Sequence, residues 1–216
     1  MIQKKIKEIR DSINKDIELV AVSKTKSKKE ILEAYNAGQK VFGENKIQEM
    51  TVKHEELPKD IKWHMVGHVQ SNKIKYMAPY VELVHGIDSL KSVKILNKEA
   101  KKNNRVIKCL LQLKISEEFT KFGLSKIEIE SILNSINILG LKNINVAGIM
   151  TIGSFTENMN VVIKEFEKSK KIFDELKITF PNLKILSMGM SNDYKMAIKH
   201  GSNMIRVGSL IFGKRI

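Results

Sequence analysis

The feature that most constrains this 216-residue chain is its rhythm. Apolar segments of strand length alternate, from end to end, with longer segments whose apolar residues recur at helical spacing. Strands are expected at 18–23 (ELVAVS), 40–43 (KVFG), 61–66 (IKWHMV), 81–86 (VELVHG), 106–113 (VIKCLLQL), 144–150 (INVAGIM), 184–188 (LKILSM) and 203–207 (NMIRVG). An opening helix is expected over residues 2–15, and KKEILEAYNAG, SLKSVKILNKEAKK, SKIEIESILNSINIL and NVVIKEFEKSKKIFDELK read as further helices, the first stopped by Gly38. Strands that are each followed by a helix build a parallel sheet, and eight such units fit a closed (β/α)8 TIM barrel occupying residues 1–216 as one domain. An open doubly wound sheet is the competing architecture. It is weakened by SKTKSKKE after the first strand, where a dinucleotide-binding turn would read G-x-G-x-x-G.

In a parallel barrel, chemistry gathers where strands end, so the strand ends are the shortlist of candidates. Gly189, Met190 and Ser191 follow strand seven, with a helix expected from about Asn192–Asp193, and Gly208 with Ser209 follows strand eight. Small residues in those two loops suit a bound phosphate, although glycine and serine also make ordinary turns and caps. Arg206 lies inside the last strand, where a permanent cation must be paired or face a polar lumen. Lys24 ends the first strand, which neighbours the eighth in a closed barrel. Partial burial and a nearby arginine both favour a neutral amine, the form that condenses with an aldehyde. A lysine that forms an aldimine (Schiff base), a phosphate cup and an arginine are what pyridoxal 5′-phosphate (PLP) needs. An ordinary surface lysine is the plainer alternative, in a chain with 34 of them.

Composition narrows the partners. The net charge of +14 raises nucleic acid, yet only Arg10, Arg105, Arg206 and Arg215 are arginine among 38 basic residues, and the lysines are spread along the chain. Arginine is the residue suited to bidentate phosphate and base recognition, so no nucleic-acid surface is expected. No apolar run reaches the length of a membrane span and the charged N-terminus MIQKKIKEIRDSINKD is no secretory signal, so a cytoplasmic protein without a membrane partner is expected. Cys109, the only cysteine, lies in the apolar run VIKCLLQL and reads as a small buried residue rather than a reactive thiol. No metal site is expected.

Seven ordered motifs then carry a resemblance: AVSKTK (Ala21 to Lys26), FGENKIQE (Phe42 to Glu49), WHMVGHVQSNK (Trp63 to Lys73), KFGLS (Lys121 to Ser125), GIMTI (Gly148 to Ile152), LSMGMSNDYKMAIKHGS (Leu186 to Ser202) and IRVGSLIFGKR (Ile205 to Arg215). Over nearly its whole length the chain resembles the YggS/PROSC family of PLP homeostasis proteins. The resemblance implies a fold like the barrel domain of alanine racemase and an internal aldimine at Lys24. It implies that Asn45 approaches the cofactor ring and that Ser191, the backbone at Met190, Gly208 and Ser209 hold the phosphate. Arg206 would face the pyridine nitrogen or reach the phosphate, two roles that sequence leaves open. Lys46 stands where an aromatic is common in the family, and Met65-Val66 replaces a frequent Phe-Ile pair. His64 reads as a structural histidine bonded to backbone, while His68, at a strand end, reads equally as structural or as a proton shuttle.

The expected function is intracellular PLP buffering and delivery to apo-enzymes, without substantial catalysis. Amino-acid chemistry on this cofactor needs a second acid or base on its other face; with eight residues after Gly208, the domain that supplies one in alanine racemases is not expected, and a second base would have to come from a partner subunit. A fixed charge at the ring nitrogen would also blunt the electron sink. The alternative is a genuine PLP-dependent racemase or lyase acting on a small amino acid. A monomer or weak dimer is expected, with the opening helix as a possible contact.

Overall fold

A computed structural model of the chain describes residues 1–115, 123–154 and 156–213. Lys121 and Phe122 of the KFGLS motif, and Lys214 and Arg215 of the last motif, lie outside the described residues. The elements run α1 (Ile2–Asp11), β1 (Glu18–Val22), α2 (Lys28–Asn36), β2 (Val41–Glu44), α3 (Ile47–Glu56), β3 (Lys62–Met65), a 3-10 turn (Ser71–Lys73), α4 (Ile74–Met77), β4 (Leu83–Ile87), α5 (Leu90–Lys102), β5 (Ile107–Leu113), α6 (Lys126–Ile138), β6 (Ile144–Thr151), α7 (Met159–Thr179), β7 (Ile185–Ser187), α8 (Tyr194–Lys199), β8 (Met204–Val207) and α9 (Ser209–Phe212).

All eight strands pair in parallel and in sequence order, and β8 closes on β1 with Val20 opposite Arg206. Closure leaves no open edge. It follows from the sequence because every crossover carries enough apolar surface to cover the outside of the sheet. The outer layer packs Phe42, Trp63, Ile87, Leu111, Ile149 and Leu186 under buried helix residues such as Ile31, Met50, Leu96, Ile129 and Phe166. A separate inner cluster of Val20, Val41, Leu83, Leu110, Ala147, Met150 and Met204 fills the lumen, so the barrel is a packed core rather than a pore.

Local signals set the helix starts. Ser27 with Glu30 and Ser125 with Glu128 form reciprocal capping boxes on α2 and α6, and each cap contributes about 1 kcal/mol. Gly38 takes a left-handed φ of +90° after α2, the stop its position predicts. At Gly148 a Cβ would sit 1.8 Å from the carbonyl oxygen of Ile185, so β6 and β7 approach too closely for any side chain there.

Two expectations need correction. The opening helix ends at Asp11, well short of residue 15, because the Ser12 hydroxyl donates to Ile9 O at 2.8 Å and caps the last turn. Its apolar face, Ile2, Ile6 and Ile9, is buried within the chain as α1 packs on α2 and α9. The helix after β7 begins at Tyr194, two residues beyond Asn192, with Asp193 as its N-cap. No helix among the described residues is long and apolar enough to cross a membrane.

Candidate functional site at the strand C-termini

The strand C-termini open at one end of the barrel, and the residues expected to carry function stand there or just below. Lys24 lies two positions past the end of β1 and is half-buried. Asn45 follows β2, separated from β8 by β1. Gly189, Met190 and Ser191 form the β7 to α8 loop, while Gly208 and Ser209 lead β8 into α9.

Those last two loops are joined directly. The Ser191 hydroxyl oxygen accepts from Gly208 N at 3.2 Å and from Leu210 N at 3.4 Å. Gly189, with φ +95°, has no room for a Cβ, which would lie 2.5 Å from Ala197 Cβ, so α8 packs tightly under the loop. Met190 is partly exposed, and its N–H donates to Asp193 Oδ1 at 2.5 Å. A cavity of about 650 Å³ borders Ser191, Asn192, Ser209 and Leu210.

Arg206 is 5% exposed and points into the lumen. Its Nη1 donates to Ser187 O at 3.0 Å and Ser187 Oγ at 2.7 Å, and Nη2 donates to Thr151 O at 2.8 Å. Burial lowers the guanidinium to about 10, partly opposed by the charge of Asp193, so it remains a cation at neutral pH. A guanidinium has five N–H donors, so these three bonds leave the fork with capacity to donate to a ligand.

The polar chain continues beneath Arg206. Ser187 Oγ lies 3.3 Å from His85 Nδ1, and His85 Nε2 lies 3.1 Å from His64 Nδ1. Arginine only donates, so when the Ser187 hydroxyl passes its own hydrogen to His85 Nδ1, His85 carries its hydrogen on Nε2 and donates to His64. Burial holds both rings neutral: His64 is lowered to about 3, and His85 is driven well below the ordinary histidine value by burial and by the charges on its neighbours. His64 is buried, and its partner is a second ring rather than the backbone expected for it. His68 sits at the rim, its Nδ1 3.1 Å from Asp88 Oδ2.

Around Lys24 the surroundings are ionic. Lys53 of α3 donates to Ser23 O at 2.8 Å, Glu44 Oε1 at 2.9 Å and Glu49 Oε1 at 2.7 Å. Glu44 is fully buried, and burial outweighs the Lys53 charge to push its carboxyl above the usual range. Burial also acts to raise Glu49, but hydrogen bonds from Lys53 and the Thr25 amide prevail and hold it low. Sequence reasoning missed Lys53, because a lysine four residues after a glutamate on a helix ordinarily marks a solvated face.

Buried acceptors without partners mark the ends of other strands: Asn45 Oδ1 after β2 and Thr151 Oγ1 at the end of β6. Asn45 also borders a cavity of about 700 Å³ with Lys46, Met65, His68 and Lys73. Cys109 is fully buried, and burial pushes its thiol up to about 12.

Comparison with known proteins completes this geometry. Residues 1–215 match the family described as alanine racemase, N-terminal domain. A pyridoxal phosphate homeostasis protein of Aquifex aeolicus is 38% identical over 202 residues, covering 91% of this chain and 86% of its own. One from Schizosaccharomyces pombe is 36% identical, covering 96% and 89%. The structure of PipY of Synechococcus elongatus, solved with PLP bound, superposes with a TM-score of 0.91 at 31% identity and covers 99% of this chain and 100% of PipY. An alanine racemase of Clostridium difficile shares the fold at 16% identity and a TM-score of 0.80. The chain therefore belongs to the pyridoxal phosphate homeostasis family, on an alanine racemase N-terminal barrel.

Proposed function

We propose that this chain binds PLP and serves in its intracellular homeostasis, holding the cofactor reversibly through Lys24 and handing it to apo-enzymes in the cytoplasm. The observation that supports this reading is the meeting of three ligand-ready features on the adjacent strands β7, β8 and β1: the joined Ser191 and Gly208 loops, the donating fork of Arg206 and the amine of Lys24. The orphaned acceptors Asn45 Oδ1 and Thr151 Oγ1 suit a ligand rich in polar atoms, so the residues present fit the cofactor.

When bound, the cofactor supplies an aldehyde for covalent capture and a conjugated ring. Lys24 provides the attacking nitrogen. Ser191, Met190, Gly189, Gly208 and Ser209 line the phosphate end, where backbone N–H groups and hydroxyls can donate. Arg206, hydrogen-bonded to neutral oxygens and only partly offset by the charge of Asp193, keeps positive charge for the ligand. Asn45 borders the ring from β2.

The test is optical. Wild-type protein supplied with PLP is expected to turn yellow and, after borohydride reduction, to carry the cofactor's mass on Lys24. A colourless wild type would overturn the reading. Incubation with single amino acids separates carrier from enzyme: turnover that vanishes in Lys24→Ala would replace the homeostasis role with catalysis.

A further inference from the structure

We propose that Lys53, together with Glu49 and Glu44, is a positioning clamp for Lys24, setting the backbone on both sides of the reactive amine. This rests on the reading of Lys24 as the residue that captures the aldehyde.

The geometry is unusual for a helix lysine. Its three N–H groups are matched by three acceptors, Ser23 O, Glu44 Oε1 and Glu49 Oε1, and the side chain is 7% exposed. The residues before and after Lys24 are held by the same cluster. Ser23 is fixed through its carbonyl by Lys53 and through its hydroxyl, which donates to Glu44 Oε1 at 2.5 Å. Thr25 is fixed through its N–H, which donates to Glu49 Oε1 at 2.6 Å.

Thr25 also has φ +65°, the left-handed region that a β-branched residue enters only when its surroundings impose it. The Glu49 carboxylate supplies that constraint. Without it, the turn has an energetic reason to relax, and the amine of Lys24 swings with it. A lysine carries four flexible side-chain bonds, so the backbone from which it springs sets the range of positions the amine can reach. Displacement by about 1 Å can cost a positioned reaction about 100-fold. Burying an ammonium is costly, and a hydrophobic residue would fill this position more cheaply. Retaining a lysine here is explained by what it grips.

The step affected is the addition of the Lys24 amine to the aldehyde carbon of PLP. A C=N bond forms, and the carbonyl oxygen leaves as water with both amine hydrogens.

The test compares Lys53→Met, Glu49→Leu and Glu49→Gln with wild type. The readouts are the rate of covalent capture at saturating PLP, followed by absorbance and borohydride trapping, and the affinity for pyridoxamine 5′-phosphate, which has no aldehyde. Trp63→Phe, in the buried outer layer and outside the hydrogen-bonded cluster of Lys53, serves as a control for lost stability. A clamp predicts capture slowed at least about tenfold in Lys53→Met and Glu49→Leu. It predicts pyridoxamine phosphate affinity within about twofold of wild type, and capture restored in Glu49→Gln, whose carbonyl still accepts from the Thr25 amide. Capture at the wild-type rate in Lys53→Met and Glu49→Leu overturns the clamp, as does equal slowing in Glu49→Gln and Glu49→Leu or in the Trp63→Phe control. Glu49 is partly exposed, so its variants remain informative if Lys53→Met fails to fold. A wild type that forms no adduct would sink the cofactor reading instead, and the clamp with it.

Discussion

The two basic residues at the mouth of this barrel are supported in opposite ways. On the Lys24 side, two carboxylates and an ammonium grip the backbone before and after the proposed capture residue. On the Arg206 side, the cation is itself gripped, by two carbonyls and a hydroxyl, and among the described residues it makes no ion pair. Ionic support fixes position through strong, directional contacts whose charges largely cancel one another. Neutral support fixes the cation while its field is offset only in part, by Asp193, which suits attraction of an anionic group.

The sharpest way to separate the two sides is to remove each functional residue. Lys24→Ala should abolish the borohydride-stable adduct completely, while weak noncovalent affinity survives in the Ser191 and Gly208 loops; mass measurement after reduction checks this. Arg206→Met should cost about 3 kcal/mol in urea denaturation, because Ser187 O, Ser187 Oγ and Thr151 O lose their buried donor. Loss of Lys24 should leave stability nearly unchanged by the same measurement. Equal destabilisation by both would erase the distinction.

Acid should strain the arginine side first. His64 and His85 are held neutral in the fold, the former down to about 3, whereas an unfolded histidine takes up its proton near 6.5. Between those values the unfolded state binds more protons, so stability falls as pH drops from 6.5 toward 3, by up to about 1.4 kcal/mol per pH unit for each ring. Glu44, whose carboxyl is raised, works in the other direction and offsets part of the loss. Urea midpoints for wild type and His64→Asn between pH 4.5 and 6.5 check it: the variant should show the shallower slope, by about one ring's share.

Smallest is Ser191→Ala. Two long hydrogen bonds from backbone N–H groups disappear, for about 1 kcal/mol or less in a thermal melt, while affinity for pyridoxamine phosphate should fall more noticeably. Unchanged affinity would mean that the hydroxyl serves only to join the loops.

The barrel was legible because its strands are short, apolar and separated by helices long enough to show their period. Strand four is the instructive exception. Val81 and Glu82 read as strand but form the approach to Leu83, with Glu82 N donating to Trp63 O at 2.8 Å. Alternation marks extended backbone, not which extended residues join a ladder. The 3-10 turn and α4 between β3 and β4 were not legible, since neither spans enough residues for a helical period to show.

The site divided along the same line. Lys24 and the two joined loops follow from counting strand ends, and Arg206 from a permanent cation inside an apolar strand. Lys53 does not: in sequence, Glu49 and Lys53 look like an exposed pair, and only the docking of α3 against β2 drops the ammonium among Ser23, Glu44 and Glu49. Likewise, no spacing rule brings His64 to His85 and Ser187. Their meeting depends on the angular positions of three strands around a closed lumen.

Cys109 has a practical side. An aldehyde adds to an accessible thiolate, so a surface thiol would compete with an amine for the same cargo. Here the sole sulfhydryl is sealed in the wall of the barrel and held protonated, with its thiol pushed up to about 12. A cysteine installed at an exposed site such as Ile138 would consequently be the single position open to a maleimide probe, and a fluorophore there could report cofactor loading without a second label to confuse it.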